Sequence, residues 1–121
     1  MKRILVIEDD RELRTMLCEH LSEAGYTVTE AADGVEAAAL LRANEFALVI
    51  TDIYMPNRDG LEMIIELHRL YPGARIIAMS GHPTKQTMLA VAAKLGGART
   101  IQKPFLPQEM LDLVKAVLNG A

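Results

Sequence analysis

A chain of 121 residues, half of them hydrophobic and with a formal net charge of −3, is the size of one domain around one core. It is too apolar to be disordered, and its charge argues against direct nucleic-acid binding or attraction to anionic lipid. Its one cysteine, Cys18, excludes an internal disulfide, and no apolar run could span a membrane, so a cytoplasmic location is expected.

Ile4 to Ile7 reads as a buried strand, too short for a signal peptide and stopped by Glu8-Asp9-Asp10. Leu13, Met16, Leu17, Leu21 and Ala24 then recur at helical spacing as far as Gly25, with Asp10 as the cap and Cys18 as a packing residue. Tyr26 to Glu30 alternates like a strand. Asp33, with Glu36 three residues on, forms a capping box that opens a helix through Leu40 and Leu41.

The third strand, Phe46 to Thr51, runs into Asp52 and then the turn residues Pro56 and Asp59-Gly60. Its helix carries Leu61, Ile64 and Ile65 and ends before Pro72-Gly73. Arg75 to Met79 is the fourth strand, and Met88, Val91, Ala92 and Leu95 form one apolar face before Gly96-Gly97. Ala98 to Gln102 is a weaker fifth strand, after which Pro107 opens a last helix through Leu111, Val114 and Leu118.

Strict alternation of strand and helix predicts an α/β fold: a five-stranded parallel sheet with helices on both faces and right-handed crossovers. The expected strand order is 2-1-3-4-5, a flavodoxin-like three-layer sandwich, with the most apolar strands, one and three, in the middle. In such sheets the ligand site lies beyond the carboxyl ends of the strands, where the order reverses.

That crevice collects Glu8 and Asp9 from strand one and Asp52 from strand three. Two unit charges about 4 Å apart repel by roughly 4 kcal/mol at an effective dielectric of 20, so the cluster calls for a cation. Carboxylate oxygens suit Mg²⁺, which binds few carboxylates and completes its shell with phosphate oxygens. Strand four ends at Ser80-Gly81, a hydroxyl beside a small residue that leaves the site open, and strand five ends at Lys103-Pro104, an ammonium. A carboxylate nucleophile (Asp52), a metal, a hydroxyl and a lysine make a phosphoryl-transfer site.

The stretches ILVIEDD, ITDIYMPNRDG, IIAMSG and IQKPF, in this order and spacing, resemble the receiver domain of bacterial two-component response regulators over essentially the whole chain. Within that family it resembles a chemotaxis-regulator-like single-domain receiver. The resemblance implies that Asp52 is the phosphoacceptor, and that Glu8 and Asp9 hold Mg²⁺, Asp9 directly and Glu8 through water. It also implies a metal contact from the backbone carbonyl of Tyr54, a hydroxyl at Ser80 that moves toward the phosphoryl group, a charge-neutralising Lys103, and a cis Lys103–Pro104 bond. The phosphodonor would be a histidine kinase or histidine phosphotransfer protein and the output an unidentified protein target, with room for weak homodimerisation. Residues 1–121 would form one receiver domain without an output domain, and the chain would catalyse only its own phosphorylation and dephosphorylation.

Three positions carry further expectations from the resemblance. Tyr54 and His82 flank the path of the attacking water, and rings there should slow loss of the phosphoryl group. Where the family commonly has Tyr or Phe, three residues before the lysine, this chain has Thr100. An aromatic swing is therefore unavailable, and the segment from Gly81 through the fourth helix is expected to carry the response. Among rival readings, a flavodoxin-like small-ligand or electron carrier meets Glu8-Asp9-Asp10 where an FMN phosphate would sit, and no tryptophan is present to stack a flavin. An aspartyl phosphatase would place a second acid where Tyr54 stands. A phosphorylation-independent scaffold would have no need of the complete set of site residues.

Overall fold

The computed structural model describes residues 2–52, 54, 55, 58, 59, 69, 71–81 and 99–119. Strands β1 (Arg3–Ile7), β2 (Thr27–Ala31), β3 (Leu48–Asp52), β6 (Arg75–Ser80) and β7 (Arg99–Gln102) form one parallel sheet in the order β2-β1-β3-β6-β7. Counted as the five main strands, this is the predicted 2-1-3-4-5 order. Helices α1 (Arg11–Glu23), α2 (Gly34–Ala43) and α3 (Pro107–Asn119) complete the described elements, together with the two-residue strands β4 (Tyr54–Met55) and β5 (Arg58–Asp59). The predicted helices around Leu61–Ile65 and Met88–Leu95, and Ala98, lie outside the described residues.

Period-two alternation divides the sheet's apolar residues between its faces. Ile4, Val6, Leu48, Ile50, Ile77 and Met79 pack with Leu17 and Leu21 of α1 and with Met110 and Val114 of α3. Leu5, Ile7, Val49, Ile76 and Ala78 pack on the opposite face with Ala37 and Leu41 of α2. Complete burial of one such Leu or Ile contributes about 2 kcal/mol relative to exposure, so β1, β3 and β6, covered on both faces, anchor the fold.

The helix ends follow the predicted chemistry. Asp10 Oδ1 accepts from the N–H groups of Glu12 and Leu13, at 3.0 and 3.4 Å. At the other end of α1, Gly25 takes φ +99°; its N–H donates to the Ser22 carbonyl and that of Tyr26 to the Leu21 carbonyl, a Schellman closure open to glycine at little cost. Asp33 Oδ1 accepts from Glu36 N–H at 2.9 Å, while Glu36 Oε2 accepts from Ala32 N–H, one residue earlier than in the usual capping box. Pro107 is the first residue of α3, and Glu109 Oε1 accepts from Leu106 N–H at 2.9 Å. No basic residue lies in the last turn of α3, and Arg75 Nη1 of β6 donates to the Val117 carbonyl there.

Two strand ends differ from the sequence reading in a way that matters. Asp52 and Ser80 were expected just past their strands, yet both lie on the last rungs of the ladder, Asp52 opposite Met79 and Ser80 opposite Gln102. Neighbouring strands extend far enough to pair with both residues. The stretch read as a plain turn also returns on itself, Tyr54 pairing with Asp59 and Met55 with Arg58.

Cys18 of α1 packs against the core, and burial together with Glu30 pushes its thiol up to about 11. The thiol therefore adds stability that is complete below pH 9 and lost as pH rises through 11. At pH 8 the native protein should react with iodoacetamide about 100-fold more slowly than the urea-unfolded chain, since two pKa units reduce the thiolate by that factor. Equal rates in the two states would contradict a packing role.

Candidate functional site

The parallel strands β1, β3, β6 and β7 bring their carboxyl ends to one edge. Glu8 follows β1 directly and is completely buried. Asp52 closes β3 and is 6 % exposed, whereas Asp9 is open to solvent. One carboxylate oxygen from each of the three can be chosen so that all lie within 4.8 Å of one another.

Lys103, just after β7, enters this cluster. Its Nζ donates to Glu8 Oε1 at 2.5 Å and to Asp52 Oδ2 at 2.6 Å. The lysine is aimed by its backbone: its N–H donates to the Ser80 carbonyl at 2.8 Å, and the following bond to Pro104 is cis, as the resemblance implies. A shallow depression of about 400 Å³ opens beside it, lined by Asp10, Leu13, Gly81, Lys103, Pro104 and Phe105.

Ser80 is 1 % exposed, and its Oγ is the one buried side-chain oxygen or nitrogen among the described residues without a hydrogen-bond partner. A buried hydroxyl in that condition costs about 1–3 kcal/mol, and such costs concentrate at sites that receive a ligand. Gly81 is exposed, and a Cβ at that position would meet nothing within 4 Å, so the chain beside the buried Ser80 is open to solvent at Gly81.

The electrostatics are those of a site short of positive charge. Burial raises the Glu8 carboxyl above its ordinary 4.5, reinforced by hydrogen bonding to Asp9 and opposed by Lys103. Burial by itself would lower the Lys103 ammonium, but hydrogen bonds and charge from Asp52 and Glu8 outweigh it and raise it above 10.5. Lys103 is thus protonated across the neutral range, and it stands as one ammonium against a cluster of three acidic side chains. A hard divalent cation with oxygen ligands fits this donor set.

Of the residues named from sequence, Glu8, Asp9, Asp52, Ser80 and Lys103 are brought together at one edge. Tyr54 opens β4 two residues after Asp52. Thr100 is half-buried on β7 opposite Ala78, on the strand that ends at Lys103. His82 lies outside the described residues. Arg14 went unnoticed at the sequence level: its Nη1 donates to the Glu8 carbonyl at 2.7 Å and its Nε to Glu30 Oε1 at 3.2 Å. No sequence signal marks it, because one partner is a main-chain carbonyl and the other lies sixteen positions away on another strand.

A parallel sheet in this order, with an acid cluster and a lysine at its carboxyl edge, defines the receiver class of signalling domain. Residues 4–115 match the family model described as the response regulator receiver domain. The chain is 32% identical to the response regulator receiver protein CpdR of Brucella abortus, covering 100% of each, and 34% identical to the chemotaxis protein CheY of Thermotoga maritima, covering 96% of this chain and 97% of that one. The receiver domain protein of Methanospirillum hungatei superposes with a TM-score of 0.92 at 30% identity, covering 99% of this chain and 95% of that one. The response regulator TrrA of Thermotoga maritima, solved in complex with Mg²⁺ and BeF, superposes with a TM-score of 0.84 at 34% identity, covering 98% and 100%. Other relatives are longer: the chain spans 24% of the regulator NtrC of Azospirillum brasilense and 50% of MprA from Mycobacterium. The chain belongs to the response regulator receiver domain family. Among the described residues no helix is long and apolar enough to cross a membrane.

Proposed function

We propose that this receiver accepts a phosphoryl group on Asp52 from a phosphohistidine of a kinase or phosphotransfer protein, and then alters its affinity for a protein target. The observation that carries the reading is Lys103 Nζ between Glu8 and Asp52, beside a buried Ser80 hydroxyl without a partner. A carboxylate oxygen of Asp52 forms the new O–P bond as the donor's P–N bond breaks. The leaving imidazole nitrogen keeps the electron pair and takes its proton from solvent. Lys103 stands where it can follow charge onto the phosphoryl oxygens, and the Ser80 hydroxyl is a donor in wait for one of them.

Glu8, Asp9 and Asp52, with the Tyr54 carbonyl, are the residues that would hold Mg²⁺. Bound there, the ion would supply charge neutralisation for the incoming phosphoryl group. That TrrA was solved with Mg²⁺ and BeF supports this assignment. Tyr54 and His82 remain the proposed brakes on hydrolysis, and the segment after Gly81, in place of Thr100, the proposed carrier of the response. The beryllofluoride-activated NtrC4 receiver is a dimer and superposes with a TM-score of 0.90 at 28% identity, which keeps weak self-association among the outputs to be tested.

The deciding experiment is incubation with acetyl phosphate and Mg²⁺, followed by intact mass and peptide mapping. One phosphoryl group located at Asp52, and none in EDTA, is expected. Uptake at another residue, or uptake undiminished by EDTA, would overturn the proposal.

A further inference from the structure

We infer that Arg14 is a positioning residue for the cation-binding acids, acting through the main chain of Glu8; the inference rests on the divalent-cation site proposed above. β1 ends at Ile7, so the next peptide must aim two adjacent acids in different directions outside any strand. Glu8 runs inward to Lys103, and Asp9 faces solvent. The torsion that sets the Glu8 carbonyl also sets where Asp9 begins, so whatever holds that carbonyl fixes the relation between the two carboxylates.

Three hydrogen-bonding groups around this peptide are held. Glu8 N–H donates to the Ala31 carbonyl at 3.0 Å, and Asp10 N–H donates to Glu8 Oε2 at 3.2 Å. The Glu8 carbonyl lies past the strand ladder, and Arg14 Nη1 donates to it at 2.7 Å. Arg14 is itself fixed. Its side chain is 14 % exposed, its Nε donates to Glu30 Oε1 of β2, and its N–H donates to the Asp10 carbonyl at 2.9 Å in the first turn of α1. One guanidinium thus ties the acidic loop to both a helix and the neighbouring strand.

The planar fork is what makes this an arginine position. Nε and Nη1 reach two acceptors at a set angle, which the single ammonium of lysine cannot reproduce. Mg²⁺ demands near-octahedral geometry, so a small rotation of the Glu8–Asp9 peptide should be felt in affinity. Partners that orient ligands from outside typically matter by 10- to 100-fold in metal affinity.

The test is isothermal titration of the whole chain with Mg²⁺, alongside amide NMR spectra to confirm folding. Arg14→Met is expected to raise the Mg²⁺ Kd about tenfold or more, and Arg14→Lys by several-fold despite its conserved charge. Arg42→Met, an exposed arginine in the last turn of α2, loses the same charge and should stay within twofold of wild type. A purely structural tie would lower Tm while leaving the Kd of the folded variants unchanged. Arg14→Met within twofold of wild type overturns the role; should that variant fail to fold, Arg14→Lys decides by the same criterion. A wild type that binds no Mg²⁺ overturns the cation site as well, whereas tight wild-type binding matched by the Arg14 variants overturns Arg14 alone.

Discussion

Replacing Asp52 with Asn should abolish phosphoryl uptake from acetyl phosphate while leaving a folded protein. Asn has nearly the same shape, and its amide oxygen can still accept from Lys103 Nζ, now 2.6 Å from Asp52 Oδ2, so the last rung of β3 is undisturbed. What is removed is the nucleophilic charge and one of three clustered carboxylates. A second readout follows by mass action. Mg²⁺ at 100 times its Kd stabilises the native state by about 2.7 kcal/mol, roughly 10 °C in Tm for a chain of this size. Wild type should show that rise and Asp52→Asn only a small part of it. Labelling of the variant at the wild-type rate would move the acceptor elsewhere.

Lys103→Met should produce two effects of opposite sign. The ammonium contacts a fully buried Glu8 and a buried Asp52, so its removal takes away the cation that joins these two clustered carboxylates. Breaking a buried pair from one side costs about 3 kcal/mol, and in EDTA the variant should be destabilised by that order at neutral pH. The penalty is pH-dependent. With Lys103 absent, the Glu8 carboxyl, already raised by burial, rises further above its ordinary value. Stability is then fully present below about pH 4.5 and lost as pH rises through the raised value. Mg²⁺ should bind this variant more tightly than wild type, since the cluster has lost its resident cation. Phosphoryl uptake should nonetheless fall by roughly 10²- to 10³-fold, the usual cost of removing one charge-stabilising group. Urea unfolding across pH, Mg²⁺ titration and intact mass test the three effects. A deficit that does not vary with pH, or unchanged labelling, would exclude Lys103 from the role assigned to it.

The elements and their order were legible because they rest on local chemistry. Apolar runs such as Ile4–Ile7 make strands wherever they can be covered, and Asp10, Gly25, Asp33 and Pro107 mark helix ends through bonds that span only a few residues. The site followed from topology, because a parallel sheet delivers each strand's carboxyl end to one edge. Glu8, Asp9, Asp52, Ser80 and Lys103 could therefore be grouped before any distance was known. What each acid of Glu8-Asp9-Asp10 does was a different matter. One is buried against Lys103, one meets solvent, and one caps α1. Composition treats the three alike, and only their neighbours in space separate them. The unpartnered Ser80 hydroxyl, the return of β5 onto β4 and the grip of Arg14 on the Glu8 carbonyl were likewise decided by tertiary structure. Burial and long-range hydrogen bonds depend on residues far apart in the chain, and no local spacing records them.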